Sequence, residues 1–241
     1  MTDSPVESRG AYDDWHNRFP VDAESDTPWH QMVKAYLRPE RDLAGKRILE
    51  IGSGRGGFAC WLASQTPRPA AVVAADFART AVAKGREFAL STGVPPVCWE
   101  VGDIQSIAHK TGSFDTVISC ETVEHLPDPA RALRELARVL KPGGRLFLTT
   151  PNYLGPMGLY RIYLRAVGRP YTEEGQPINR VVMLPRTLWW VNRAGLDIVT
   201  VGGTGHYLPL PGVPWRRFPW VDSVPLAHLF ALHSFVEARK P

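Results

Sequence analysis

From residue 46 onward, short apolar, β-rich runs alternate with stretches whose apolar residues recur every three or four positions. The first rhythm belongs to buried strands and the second to amphipathic helices, so the alternation predicts βαβ units around a parallel sheet, an α/β fold. Arg47-Ile-Leu-Glu-Ile51 is the first expected strand, followed by a glycine turn and a helix over 57–64 that Pro67 and Pro69 close. A second strand over 70–75 ends at Asp76, and a helix over 80–90 stops near Gly93. Strands over 97–101 and 114–119 follow. Asp128, with Pro129 at the first helical position, predicts a helix that presents Ala130, Leu133, Leu136, Ala137 and Leu140 along one face. Lys141-Pro-Gly-Gly144 is expected to end that helix and feed a fifth strand over 145–149.

Beyond residue 150 the regularity weakens. Residues 153–182 are expected to be an insertion, with a helix near 159–167 and then a glycine-proline loop, before a helix over 186–194. Two further β-rich runs, Asp197-Ile-Val-Thr-Val201 and His233-Ser-Phe-Val-Glu237, flank a proline- and tryptophan-rich loop of about thirty residues, long enough to carry function or a short helix of its own. There is no internal repeat.

A chain of 241 residues can bury a large core without staples. Its three cysteines, Cys60, Cys98 and Cys120, fit neither a disulfide framework nor a paired-ligand zinc site, and acids and histidines show no metal-site spacing. With no basic stretch and apolar run at the start and no apolar segment near 18 residues, a cytoplasmic protein is expected. The net charge of +4 excludes little, but Arg161, Arg165, Arg169, Arg180, Arg186 and Arg193 share one stretch opposed by Glu173 and Glu174 alone. That stretch is either a solvated face or a contact for an anionic substrate or membrane surface.

The strand-turn-helix at Ile48-Leu-Glu-Ile-Gly-Ser-Gly-Arg-Gly-Gly57 places backbone N–H groups at the carboxyl edge of the sheet, where doubly wound folds bind ligands. Gly52, Gly54 and Gly57 also satisfy GxGxxG, and Asp76 follows at the distance of a ribose partner, so local spacing leaves a dinucleotide such as NAD open.

The wider constellation resembles the class I S-adenosylmethionine (SAM)-dependent methyltransferases, especially the small-molecule group that includes the ubiquinone-pathway enzymes. The resemblance spans about residues 46–151 and rests on Glu50 two places before Gly52-Ser-Gly-Arg-Gly56, on Asp76, on Val101-Gly-Asp-Ile104, and on the runs Phe114 to Pro129 and Leu140 to Pro151. It implies a Rossmann-like, seven-stranded, mostly parallel sheet with helices on both faces and an antiparallel last strand. It also implies a SAM site made of Glu50, Gly52, Ser53, Gly54, Gly56, Asp76, Phe77, Asp103, Ile104 and Cys120, without a metal. Asp76 would hold the ribose hydroxyls, Phe77 would pack on the adenine, and Asp103 with Ile104 would take its amino group and ring.

On that basis residues 1–45 are expected to form a helical lid, 46–152 the SAM-binding core, 153–184 part of the acceptor wall, and 185–241 the C-terminal helix and closing strands of the same domain. His125 is the leading general base, with Glu121 and His16 next, and each has a bland alternative as a loop or core residue. Tyr12, Tyr153, His206 and Tyr207 are expected at the acceptor. The aromatic loops, including 208–220, point to oxygen methylation of an aromatic or polyketide-like metabolite. A membrane-associated lipid or quinone precursor, C- or N-methylation, and a SAM-binding scaffold subunit remain alternatives. Nucleic acid is disfavoured because no base-reading module and no Asn-Pro-Pro-Tyr tetrapeptide occurs. A monomer or homodimer with possible peripheral membrane contact completes the expectation.

Overall fold

A computed structural model of the chain describes residues 5–169, 176, 178–208 and 216–241. Helices α1 (Pro5–Asn17), α2 (Pro28–Tyr36) and the single turn α3 (Pro39–Asp42) precede the sheet. Then come β1 (Arg47–Ile51), α4 (Gly57–Ala63), β2 (Ala71–Asp76), α5 (Arg79–Thr92), β3 (Cys98–Val101), β4 (Phe114–Cys120), α6 (Pro129–Val139) and β5 (Leu140–Pro151). The remainder is α7 (Pro156–Ala166), α8 (Leu184–Arg193), β6 (Asp197–Thr204), a small hairpin of β7 (Tyr207–Leu208) and β8 (Arg216–Arg217), and β9 (His233–Arg239).

Seven strands form one sheet in the order β3-β2-β1-β4-β5-β9-β6. Strands β1 to β5 pair in parallel, whereas β9, last in the chain, lies between β5 and β6 and runs against both. The strand order reverses beside β1, which is where open α/β sheets leave a crevice at their carboxyl ends.

The two faces follow directly from side-chain alternation along each strand. Leu49, Ile51, Val117, Leu146, Leu148 and Val236 pack with Leu133 and Leu136 of α6 and Val191 of α8. Ile48, Val72, Ala74, Ile118, Phe147 and Phe235 turn the other way, against Met32 and Val33 of α2 and Phe58 and Leu62 of α4. Helix α6 begins as the sequence predicts, with the Asp128 carboxylate accepting from Arg131 N at 3.0 Å and Pro129 in the first turn.

One boundary differs from expectation. Strand β5 already starts at Leu140, opposite Phe114, and the Lys141-Pro-Gly-Gly144 run lies within it as an irregularity, because the register jumps before Thr116 meets Arg145. Lys141 Nζ spans that irregularity to both Asp115 oxygens at 2.9 Å. The long loop before β9 carries the β7–β8 hairpin and two 3-10 turns, Pro219–Ser223 and Pro225–Phe230. The glycine-proline loop over 170–175, with Glu173 and Glu174, and residues 209–215 of the expected acceptor wall lie outside the described residues.

Candidate active site

The carboxyl ends of β1, β2, β3 and β4 open into one cavity of about 760 Å³. β1 delivers Glu50 to its floor, fully buried, with Oε2 lacking a hydrogen-bond partner. Burial, and then the nearby Asp76 charge, push its carboxyl up to about 8. The turn after β1 folds back on β2, with Gly52 N and Ser53 N both donating to Ala75 O at 2.9 and 3.0 Å. At Gly52 φ is +74°, and a Cβ would lie 2.2 Å from Thr122 Oγ1, so only glycine lets the turn approach the loop after β4. Gly54 and Gly56 complete the turn, and Ser53 Oγ is buried in it without a partner.

Asp76 at the end of β2 accepts from Gly54 N at 2.7 Å and from Ala78 N at 2.9 Å. Burial raises it to about 6, against the lowering effect of those amides. Phe77 beside it meets the Tyr12 ring edge-on at 6.4 Å. Beyond β3, Asp103 Oδ1 accepts from Gln105 N at 2.8 Å, and Ile104 is buried against the cavity. Cys120, at the end of β4, is buried, and desolvation raises its thiol well above the usual range.

The N-terminal segment covers this floor. Tyr12, Trp15 and His16 of α1 line the cavity, while α2 packs on the sheet, so the segment is both cover and core. Lys84 Nζ holds the end of α1 by donating to the carbonyls of His16, Asn17 and Phe19 at 2.9–3.0 Å. Gly57 allows the chain at Asp22 to pass close, since a Cβ there would meet Asp22 O at 1.8 Å. Burial, with Arg55 adding to it, lowers His16 to about 4, so its approach to Asp76 Oδ1 at 3.9 Å involves a neutral ring.

His125 and Glu121 also line the cavity. His125 Nδ1 donates to Ile178 O at 2.6 Å, its Nε2 lies 3.5 Å from Glu124 Oε1, and Tyr12 OH donates to its carbonyl at 3.4 Å. It thus ties three segments together. Arg180 reinforces the tie by donating to the Leu126 and Pro127 carbonyls at 2.6 and 2.7 Å. Glu121 adopts a left-handed φ of +46° and pairs with His233.

Three expected acceptor residues do not line the cavity, because each finds a local partner instead. Tyr153 is buried with its hydroxyl on Asn179 Oδ1 at 3.0 Å. His206 is held between Asp222 and the Ala227 carbonyl. Tyr207 belongs to the β7–β8 hairpin. The arginine stretch is likewise not one free face: Arg180 is the clasp just described, Arg186 lies over Trp189 and Trp190, and Arg161 lies over Tyr153. Sequence reasoning missed His233, Thr122, Met157 and Ile178 as lining residues. Of these, only His233 carried a signal, as a titratable residue opening a strand.

Among the described residues no group of three acids, histidines or cysteines is arranged to hold a metal, and no helix is long and apolar enough to cross a membrane.

Comparison with known proteins gives consistent similarities. The family described as "Methyltransferase domain" matches residues 49–148. A ubiquinone biosynthesis O-methyltransferase of Xanthomonas euvesicatoria pv. vesicatoria is 34% identical over 76% of this chain and 73% of its own length, and one of Xanthomonas oryzae pv. oryzae is 41% identical over the same shares. Among solved structures, an S-adenosylmethionine-dependent methyltransferase of Mesorhizobium loti superposes with a TM-score of 0.62 at 19% identity, covering 89% of this chain and 99% of its own.

Proposed function

This chain belongs to the class I SAM-dependent methyltransferases, and from that premise we propose that it methylates a hydroxyl oxygen on a ring-bearing small molecule, of the quinone-precursor kind. The observation that carries the proposal is the single cavity that joins Glu50 and Asp76 to a wall of Tyr12, Trp29, Met157 and His233. The relatives' ubiquinone-pathway names favour a quinone precursor over the aromatic or polyketide-like metabolite also expected.

The residues present fit SAM. The buried, unpartnered Glu50 Oε2 is an acceptor in search of a donor, and the ammonium group of a methionine moiety supplies one. Asp76, with two amides already on it, keeps lone pairs for ribose hydroxyls, and Asp103 and Ile104 take the adenine end. When bound, SAM supplies a methyl carbon activated by its sulfonium leaving group. The chain then has to align the acceptor oxygen, exclude water and accept a proton. The three unpaired cysteines suit a reducing compartment.

An acceptor with an apolar tail gains further support from α7, whose Leu159, Ile162 and Tyr163 are exposed beside Arg165, while Met157 of the same helix reaches the cavity. Transfer of labelled methyl from SAM to ring diols with and without an alkyl tail tests the assignment. Faster turnover of the tailed diol is expected. Labelling of amines but not of diols would overturn it.

A further inference from the structure

The first half of the turn after β1 is tied to β2 by hydrogen bonds: Gly52 N and Ser53 N reach Ala75 O, and Gly54 N reaches Asp76. The second half, at Gly56, meets a side chain from the edge of the sheet, the indole of Trp99 in β3. We propose that Trp99 is a positioning residue for the cofactor, packed between the turn and α5 so that the backbone at Gly56 keeps its cofactor-binding course, an inference that concerns the SAM end of the cavity and stands apart from the acceptor assignment.

Two glycines make room for this ring. At Gly56 φ is +75°, and a Cβ would run into Trp99 Cη2 and Cζ3, the far edge of the indole. Gly85 lies buried inside α5 without a positive φ, so its backbone does not call for glycine, and glycine weakens a helix interior relative to alanine. A Cβ there would stand 2.5 Å from Trp99 Cζ3 and 3.1 Å from Arg55 O. The turn, α5 and the indole therefore meet at one crowded point, and the missing side chain at Gly85 is what lets them do so.

The same two segments meet again at Asp76, which accepts from Gly54 N of the turn and from Ala78 N at the start of α5. Hydrogen bonds join turn and helix on the cavity side, and the indole joins them on the far side. β3 carries Trp99 in register with Ala74 of β2, the strand that ends in Asp76, so the sheet fixes the ring's height relative to the carboxylate.

Trp99 is half-buried, and its remaining surface borders a shallow hollow with Arg79, Val82, Arg86 and Leu90 of α5 rather than the cofactor cavity. The core on this face is closed by fully enclosed residues such as Phe58, Leu62, Val72 and Ala74. A large ring on an edge strand, seated against two glycines, adds little to that core and much to the turn. The turn's function is geometric, because its N–H groups and the start of α4 must face the ligand, and a binding constellation tolerates displacements of only about 0.5 Å.

The test measures S-adenosylhomocysteine affinity by calorimetry, unfolding in urea and amide exchange for wild type, Trp99→Phe, Trp99→Leu and Gly85→Ala. Trp99→Phe, whose shorter ring no longer reaches both glycines, is expected to weaken binding about threefold to tenfold, and Trp99→Leu about 10- to 100-fold. Exchange is expected to rise over residues 52–57 and to stay unchanged in β4 and β5. Gly85→Ala pushes the ring edge toward Gly56 and is expected to weaken binding about tenfold alone, but about threefold or less when added to Trp99→Leu, since the ring edge is then gone. A purely structural role would not produce that coupling. Where Trp99→Leu does not fold, Trp99→Phe takes its place in the cycle. Affinity within about twofold of wild type in Trp99→Phe and Gly85→Ala overturns the proposal, as do additive losses in the cycle. A loss of affinity with exchange raised evenly over the sheet also overturns it, because the indole would then be serving the core and not the turn.

Discussion

Gly54 donates its backbone N–H to Asp76 Oδ2 at 2.7 Å, which makes the turn after β1 and the carboxylate ending β2 a single structural unit. The same carboxylate takes Ala78 N at the start of α5. Losing it therefore disturbs the turn as well as any ribose contact. Asp76→Ala is expected to weaken S-adenosylhomocysteine binding by about 10- to 100-fold and to cost about 2 kcal/mol of stability, in the range for hydrogen bonds to charged groups. Calorimetry and denaturant titration check the two effects separately.

Stability should also respond to pH through Glu50. Its folded carboxyl is raised from the ordinary 4.5 to about 8, so between those values the folded state binds a proton that the unfolded chain has released. Stability of the ligand-free protein therefore falls as pH rises through that window, by up to about 3 kcal/mol by pH 7. Glu50→Gln should flatten the decline and make the ligand-free protein more stable than wild type at pH 8, while weakening cofactor binding. A wild-type melting temperature that rises from pH 5 to pH 8 in step with the variant's would contradict this.

Two glycines with similar backbone angles separate strain from crowding. Gly93 has a φ of +68° and open space around it, so Gly93→Ala should cost only about 1 kcal/mol. Gly52 has a φ of +74° and Thr122 in the way, so Gly52→Ala should cost at least about 2 kcal/mol and displace the loop bearing Glu121. Urea unfolding of both variants makes the comparison.

Lys84 holds the end of α1 through three carbonyls. Lys84→Met should leave the sheet intact yet raise hydrogen exchange over residues 9–19, and it should speed S-adenosylhomocysteine release by about tenfold, the effect of losing about 1.4 kcal/mol of closure. Exchange mass spectrometry and stopped-flow release measure the two.

Most of the sheet was legible because its determinants are local: alternation in Arg47-Ile-Leu-Glu-Ile51, a glycine turn, and the Asp128-Pro129 helix start all act within a few residues. The floor residues Glu50, Asp76, Asp103 and Glu121 shared that legibility, since each lies at or within two residues of a strand's carboxyl end and those ends meet at one edge. The meeting of His233 with Glu121 was not legible, because it depends on β9 inserting between β5 and β6, a pairing no local pattern encodes. Tyr153 and His206 misled for the opposite reason. Their polar tips look available in sequence, but Asn179 and Asp222 satisfy them inside the fold.

The most direct test is calorimetric titration of the protein with S-adenosylhomocysteine at pH 7 in two buffers of different ionisation enthalpy. Because Glu50 lies near 8 in the ligand-free protein and gains an ammonium partner on binding, the account predicts saturable one-to-one binding with net proton release that Glu50→Gln abolishes. Absence of binding to S-adenosylhomocysteine, together with thermal stabilisation by NADH, would contradict it.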